Sequence, residues 1–390
     1  MRRYDLDWLR VIVFLLLIFY HVGMFFVAPD WGWHIKNNIT YEWVKYPMLF
    51  LNQWRLPILF VISGMGTSYA LSKRTAIQFA LERIKKLLLP LIFGMLVIVP
   101  PQVYLEKLSK GKISGSYLDF WPSQAFIGTY PEGNISWHHL WFIPYLLLFS
   151  LVLIPVFIFL RNNPNHIILR KTAQICTSKW GLYWFIIPLY LIESFIEPFF
   201  KETHALIGDW FVIINSCTLF FYGFLLISVK DIFWKTVQEH KANYLKCGII
   251  GFSLLIFTIT AFDDGYIRHF TEALIKVFSF WSWILTLFGY ASKYLNKPNK
   301  VLTYCNEAVY PFYILHQTIT IIIGYFLMNL QWNSFYKFTI MCIGTFVFSL
   351  IIYEFLIRRW SLIRPLFGLH NKKSKATLYY QSTCFISKTN

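Results

Sequence analysis

Charge is what this chain has least of. Only 14% of its 390 residues are Asp, Glu, Lys or Arg, and 19 acidic side chains face 36 Lys and Arg. A soluble domain carries about a quarter charged residues, so that class is excluded. The cationic excess does not point to nucleic acid, because no soluble basic face carries it. The six cysteines (Cys176, Cys217, Cys247, Cys305, Cys342 and Cys384) lie in apolar segments or on the side assigned below to the cytoplasm. Disulfides are therefore not expected, and no cysteine pair has metal-ligand spacing. No two histidines stand at i and i+4, so no common zinc pattern exists and no metal is expected. No GxSxG elbow is present, which argues against a serine hydrolase of that type. The first apolar run lacks an Ala-x-Ala cleavage site and reads as a retained helix rather than a secretory leader. Internal repeats, low-complexity blocks and a linker-separated second domain are also missing.

Apolar length is what the chain has in excess. Hydrophobic residues make up 57%, aromatics 20%, and the mean hydropathy is +0.50. Ten stretches approach the ~20 residues that cross a bilayer: 8–28, 47–71, 87–105, 139–160, 180–198, 207–229, 243–262, 271–294, 306–328 and 335–357. The expected fold is all-α, a polytopic membrane helix bundle of about ten transmembrane helices covering residues 4–368, with a polar tail at 369–390. Most Lys and Arg fall in alternate loops and in the tail, which by the positive-inside rule places both termini in the cytoplasm. The bilayer is thus the first partner, and the expected location is the cell (inner) membrane; oligomeric state is left open.

One long loop interrupts the pattern, at about 106–138. It is rich in Gly, Pro and aromatics, among them Tyr130 and Trp137. Long loops are often functional. Its aromatic faces would either anchor at the interface or stack on sugar rings, and anchoring is the simpler expectation. Among the helix prolines, Pro57 stands out because it follows Arg55 and precedes Ser63, Gly64 and Gly66. Small residues at a kink permit close backbone approach to a helix or a ligand.

Ionisable groups at membrane depth are costly and usually face the bundle interior or a cavity. Arg10 and His21 are eleven residues apart, ~20° from three whole turns, so they share one face about 16 Å apart along the axis. Other groups sort into two layers. Asp5, Asp7, Arg10, Arg83, Lys85 and Lys86 occupy an inner one, with Glu307 and Glu354 near helix ends. His21, Arg55 with Asn52 and Gln53, Glu193, and His316 with Gln317 lie in the middle to outer half, and His138 and His139 cap the outer end of the fourth helix. For Arg83, Lys85 and Lys86, lipid phosphates are the simplest partners, with a nucleotide-type ligand about as well supported. Arg55 lies too deep for easy snorkelling. An imidazole of near-neutral pKa suits proton or acyl transfer, and a fixed guanidinium suits an oxyanion or an acidic substrate group.

Arg10-x10-His21, FVISG at 60–64, ERIKKLLLP at 82–90, HLWFIPYLL at 139–147 and YPFYILHQT at 310–318 together resemble the integral-membrane acyltransferase 3 family. Within it the chain looks most like the glucan biosynthesis protein C branch, which succinylates periplasmic glucans. The resemblance covers about residues 4–368. It implies a cytoplasmic acyl-CoA co-substrate, no permanently bound cofactor, and transfer of an acetyl or succinyl group to a hydroxyl of an extracytoplasmic or surface carbohydrate. It further implies His21 as catalytic base with Arg10. It places substrate contacts at Arg55, Ser63, Arg83, Lys86, His139, Trp141 and His316. Lys86 stands where the family has Arg, and a lysine lacks the bidentate fork. The rival reading is a transporter or flippase that moves a glycan or lipid-linked substrate unmodified. No inverted repeat or matched pair of broken helices supports it.

Overall fold

The computed structural model describes residues 2–29 and 31–371, so most of the expected polar tail lies outside the described residues. Among them there is no β-strand, only isolated bridges at Val27–Tyr41 and Thr129–Ile135. The helices of the apolar segments are α1 (Tyr4–Phe26), α2 (Glu42–Leu71), α3 (Ala76–Ser109), α4 (His138–Val152), α5 (Ile154–Asn162), α6 (Gly181–Phe195), α7 (Trp210–Ser228), α8 (Lys230–Ala261), α9 (Tyr266–Tyr294), α10 (Lys300–Leu327) and α11 (Ser334–Ile357), with two short helices between them at Tyr117–Ser123 and Ile167–Cys176. The chain is an all-α polytopic bundle, as its composition requires.

The ten expected spans meet a more irregular outcome. Eight described helices are long and apolar enough to cross a membrane. The fourth expected span is the pair α4 and α5, bent by 47°. Leu153 and Pro155 explain the bend: proline opens α5, and residues near its ring leave helical geometry, with Leu153 at φ −87°, ψ 0°. The fifth, α6, is a short apolar helix that stops at Phe195. In the other direction, α3 starts well before residue 87. Arg83 and Lys86 therefore sit two turns inside a helix rather than at its entry.

Proline also shapes α3. The helix widens into π-turns at Ile84–Leu88 and Gly94–Ile98, next to Pro90 and Pro100. Proline has no N–H, so the carbonyl four residues earlier loses its partner. For Pro100 that carbonyl belongs to Leu96, and the indole of Trp121 donates to it at 3.0 Å. A membrane helix tolerates the break because a neighbour supplies the missing donor.

Helix α1 runs through the bundle against α2, α9, α10 and α11. α2 crosses α7 so closely that a Cβ on Gly64 would strike the Phe220 carbonyl, and one on Gly223 would strike that of Val61. Two glycines facing each other's backbone make this a small-residue crossing. Gly64→Ala must push α7 away. It is expected to cost about 1–3 kcal/mol and to lower the thermal midpoint of detergent-solubilised protein; an unchanged midpoint would refute the close crossing.

The connection between α1 and α2 folds back over the bundle. Lys337, fully buried, donates to Oδ1 of Asn37 at 2.6 Å and of Asn38 at 3.1 Å. The Asn37 and Tyr41 amides bond the carbonyls of Phe25 and Phe26, both at 2.9 Å. These ties hold Trp33 and His34 over the end of α1 that carries His21.

Candidate active site

His21 lies on α1 and is 7% exposed. Its ring stacks on that of His316 from α10, with centroids 4.8 Å apart and planes 21° apart, and Trp33 lies 5.1 Å away. The His316 Nδ1 is 2.7 Å from the Tyr313 carbonyl. A carbonyl only accepts, so this nitrogen carries the hydrogen. In the neutral ring the His316 Nε2 is then a lone-pair acceptor, 3.1 Å from the His21 Nδ1. His21 therefore donates through Nδ1, and its free lone pair is on Nε2. The pair has the geometry of a base and its orienting partner, with an imidazole fixed by a backbone carbonyl in place of a carboxylate.

Arg55 from α2 stands in the same cavity wall. It is 2% exposed, its guanidinium carbon lies 3.8 Å from the Tyr20 ring centroid, and Nε and Nη1 have no hydrogen-bond partner. No carboxylate pairs with it among the described residues. A buried, unpaired cation is costly, and the face of Tyr20 offsets only part of that cost. Such a group is a ready anion site.

The cavity around these residues has a volume of about 490 Å³. Its wall is aromatic, with Tyr20, Trp33, Tyr130, Trp137, Trp141 and Tyr313 among the lining residues. The long loop therefore does two things. Tyr130 and Trp137 turn inward, while Phe120 is buried and Tyr117 packs on Tyr104 at 5.4 Å. Trp141 has one face covered by His204, with ring centroids 3.8 Å apart. His139 lines the cavity with both nitrogens engaged, Nε2 on the Ile314 carbonyl at 3.0 Å and Nδ1 facing Gln102 at 3.4 Å. It ties α4 to α10.

A cluster absent from the sequence reading lies beside this cavity. His34, Glu106 and His138 bring potential metal-ligand atoms within 4.8 Å of one another. The bond polarity fills the group in another way. The Thr318 hydroxyl donates to the Ile98 carbonyl at 2.8 Å, so it must accept from the Gln102 amide at 2.6 Å. Gln102 Oε1 then accepts from Gln317 at 3.1 Å, and the Gln317 amide also donates to the His34 Nε2 at 3.0 Å. His34 is left to donate Nδ1–H to Glu106 at 2.5 Å. Neither ring nitrogen keeps a free lone pair for a metal. Gln102 and Glu106 stand four residues apart on α3 and share a face, but His34 comes from the connection between α1 and α2 and Gln317 from α10, so only the third dimension joins the group.

At the other end of α1 a second cavity of about 520 Å³ gathers Arg10, Ser63, Arg83, Lys86, Asn306 and Arg364. Arg10 reaches Asn306 at 3.5 Å and Asp7 at 3.6 Å, Lys86 pairs with Glu82 at 2.6 Å, and Arg364 pairs with Glu307 at 2.9 Å. Glu354 is paired too, with Arg358 at 2.9 Å. An adjoining basic pocket, about 600 Å³, shares Arg10 and Gly66 and adds Lys73 and Arg74. The cavities of Arg10 and of His21 share the lining residues Phe142 and Tyr313. Arg10 and His21 are thus not one dyad. They belong to two chambers that meet at a two-residue partition.

The acyltransferase 3 family model, described as an acyltransferase domain, matches residues 3–354, nearly the whole chain. The chain belongs to the acyltransferase 3 family. It is an acyltransferase and a multi-pass membrane protein. Glucans biosynthesis protein C of Salmonella typhi is 22% identical over 367 residues, covering 92% of each chain, and that of Escherichia coli O139:H28 is 21% identical over 372 residues at the same coverage. No solved structure matches the acyltransferase.

Proposed function

We propose that this acyltransferase moves an acyl group from acyl-CoA, bound at the Arg10 end, to a hydroxyl of a carbohydrate bound at the His21 end, with the Arg10 end facing the cytoplasm across the cell (inner) membrane. The observation that carries the reading is the meeting of a cation-lined and an aromatic-lined cavity at Phe142 and Tyr313, beside an oriented histidine. CoA phosphates would lie against Arg10, Arg83 and Lys86, with Ser63 in the same wall. The thioester would reach past Tyr313. The acceptor hydroxyl would attack the acyl carbon as His21 Nε2 takes its proton. Arg55 would stabilise the oxygen that becomes negative. The C–S bond then breaks, and the departing thiolate takes the proton from His21. The aromatic wall suits sugar faces, and the relatives' name supports a glucan acceptor.

His316 positions the base. Replacing it by Phe keeps the stacked ring but removes the acceptor for His21 Nδ1–H. That bond is to a group that becomes charged, worth about 1.5–3 kcal/mol, so kcat should fall about 10- to 100-fold with little change in donor KM. His316→Gln, which can accept, should recover part of the loss. Equal activity of the Phe variant and the wild type would refute the role.

The reading is tested in proteoliposomes holding the full-length protein, supplied with acetyl-CoA or succinyl-CoA on one side and a linear glucan on the other. Acceptor-dependent thiol release and a glucan mass raised by one acyl group are expected. Glucan that crosses with unchanged mass would make the protein a transporter and sink the proposal.

A further inference from the structure

Beside the His21 cavity lies a smaller side chamber that the transfer chemistry leaves unused. Its volume is about 110 Å³, room for several water-sized groups. It adjoins the main cavity along shared lining residues Asn52, Leu56, Trp141 and Glu202. Gln53, on α2 two residues before Arg55, lines it. Gln53 is only 7% exposed, yet neither its Nε2 nor its Oε1 has a hydrogen-bond partner among the described residues. A buried primary amide with both ends unmet is costly and calls for a ligand or solvent that donates and accepts.

The other walls narrow the chemistry. Glu193 and Lys276 face each other at 2.5 Å, so their charges cancel, and the Glu202 carboxylate is met by the His204 ring at 2.5 Å. Asn215 and Ser216 add polar groups of both kinds, while Phe60, Phe211 and Phe280 give apolar surface. Paired charge disfavours an ionic ligand. Interleaved donors, acceptors and aromatic edges fit a neutral polyhydroxyl ring.

We propose that the chamber is a second sugar subsite: the ring carrying the reactive hydroxyl sits at His21, and the neighbouring ring of the same acceptor enters the chamber and meets Gln53 and Asn215. The acceptor class is then a saccharide of at least two units, and Gln53 determines specificity without touching the reacting atoms. This rests on the carbohydrate-acceptor reading above.

The test is a binding titration of the full-length solubilised protein, without acyl donor, using glucose and the glucose disaccharide gentiobiose as probes. Wild type is expected to bind the disaccharide at least about tenfold more tightly, as two or more additional hydrogen bonds imply. Gln53→Leu should bring that ratio within about twofold of unity while leaving glucose affinity unchanged. Asn215→Leu, which changes a lining residue on α7 instead of α2, should do the same and covers the case in which the Gln53 variant fails to fold. Equal affinities in wild type, as expected of a chamber that holds only water, overturn the subsite, as does a ratio preserved in the folded variants. Donor is then added to the same samples. Disaccharide preference without acylated product leaves the subsite standing and sinks the transfer reading; acylated product without preference does the reverse.

Discussion

His21→Ala is expected to lower acyl transfer by about 10²- to 10⁴-fold, and the bundle should stay folded. The size of the loss follows from the polarity of the bonds. His316 and His139 line up beside His21, but each has both ring nitrogens engaged. His34 is likewise held between Glu106 and Gln317. None of these three can present a lone pair to a hydroxyl, whereas His21 Nε2 has no hydrogen bond and borders the cavity. The protein should survive because the α1 contacts with α10 rest on apolar neighbours such as Phe14, 5.1 Å from Tyr313, rather than on the imidazole. Acceptor-dependent thiol release and a thermal melt on the same preparation check both halves. Activity within about threefold of wild type, well short of a general-base loss, would remove His21 from the chemistry.

Arg55→Met should separate catalysis from stability. If the guanidinium stabilises charge that appears in the transition state, its removal costs about 10²–10³ in kcat. The same substitution takes a buried cation without a carboxylate partner out of the protein and puts an apolar chain of similar length in its place, an exchange that often stabilises. The expected result is therefore a slower enzyme with a higher thermal midpoint, the trade-off typical of functional sites. Arg55→Lys keeps the charge but not the fork over Tyr20, and should fall between the two in rate. A methionine variant that is both less stable and normally active would show Arg55 to be a packing residue.

Much of this architecture was legible in the chain. A bilayer accepts only backbone that satisfies itself, so long apolar runs had to be helices. The irregularities of the bundle lie at the prolines. Pro155 bends the fourth expected span, and α6 at Gly181–Phe195 is short. Hydropathy averages over such breaks and does not register them. The cost of burying charge likewise marked His21, Arg55 and Arg10 before any coordinates, because residues of that kind at membrane depth require a reason.

Which partners those residues have was not legible. The eleven-residue spacing put Arg10 and His21 on one face, and that geometry holds. What separates them into two chambers is a partition from α4 and α10, more than a hundred residues away in sequence. The orientation of the His21 ring depends on a carbonyl at Tyr313, and that of His34 on the Ile98 carbonyl through three intervening side chains. Hydrogen-bond direction has no periodicity and leaves no trace in composition. By itself the sequence determined that this is a polytopic helical membrane protein with titratable groups in its interior, because the energetics of the bilayer depend on residue type and segment length; its motifs carried the resemblance to the acyltransferase 3 family. Only the tertiary structure decided which nitrogen is free to act, where the unpaired guanidinium points, and that an unsatisfied Gln53 opens onto a chamber of its own, because those properties belong to contacts between distant segments.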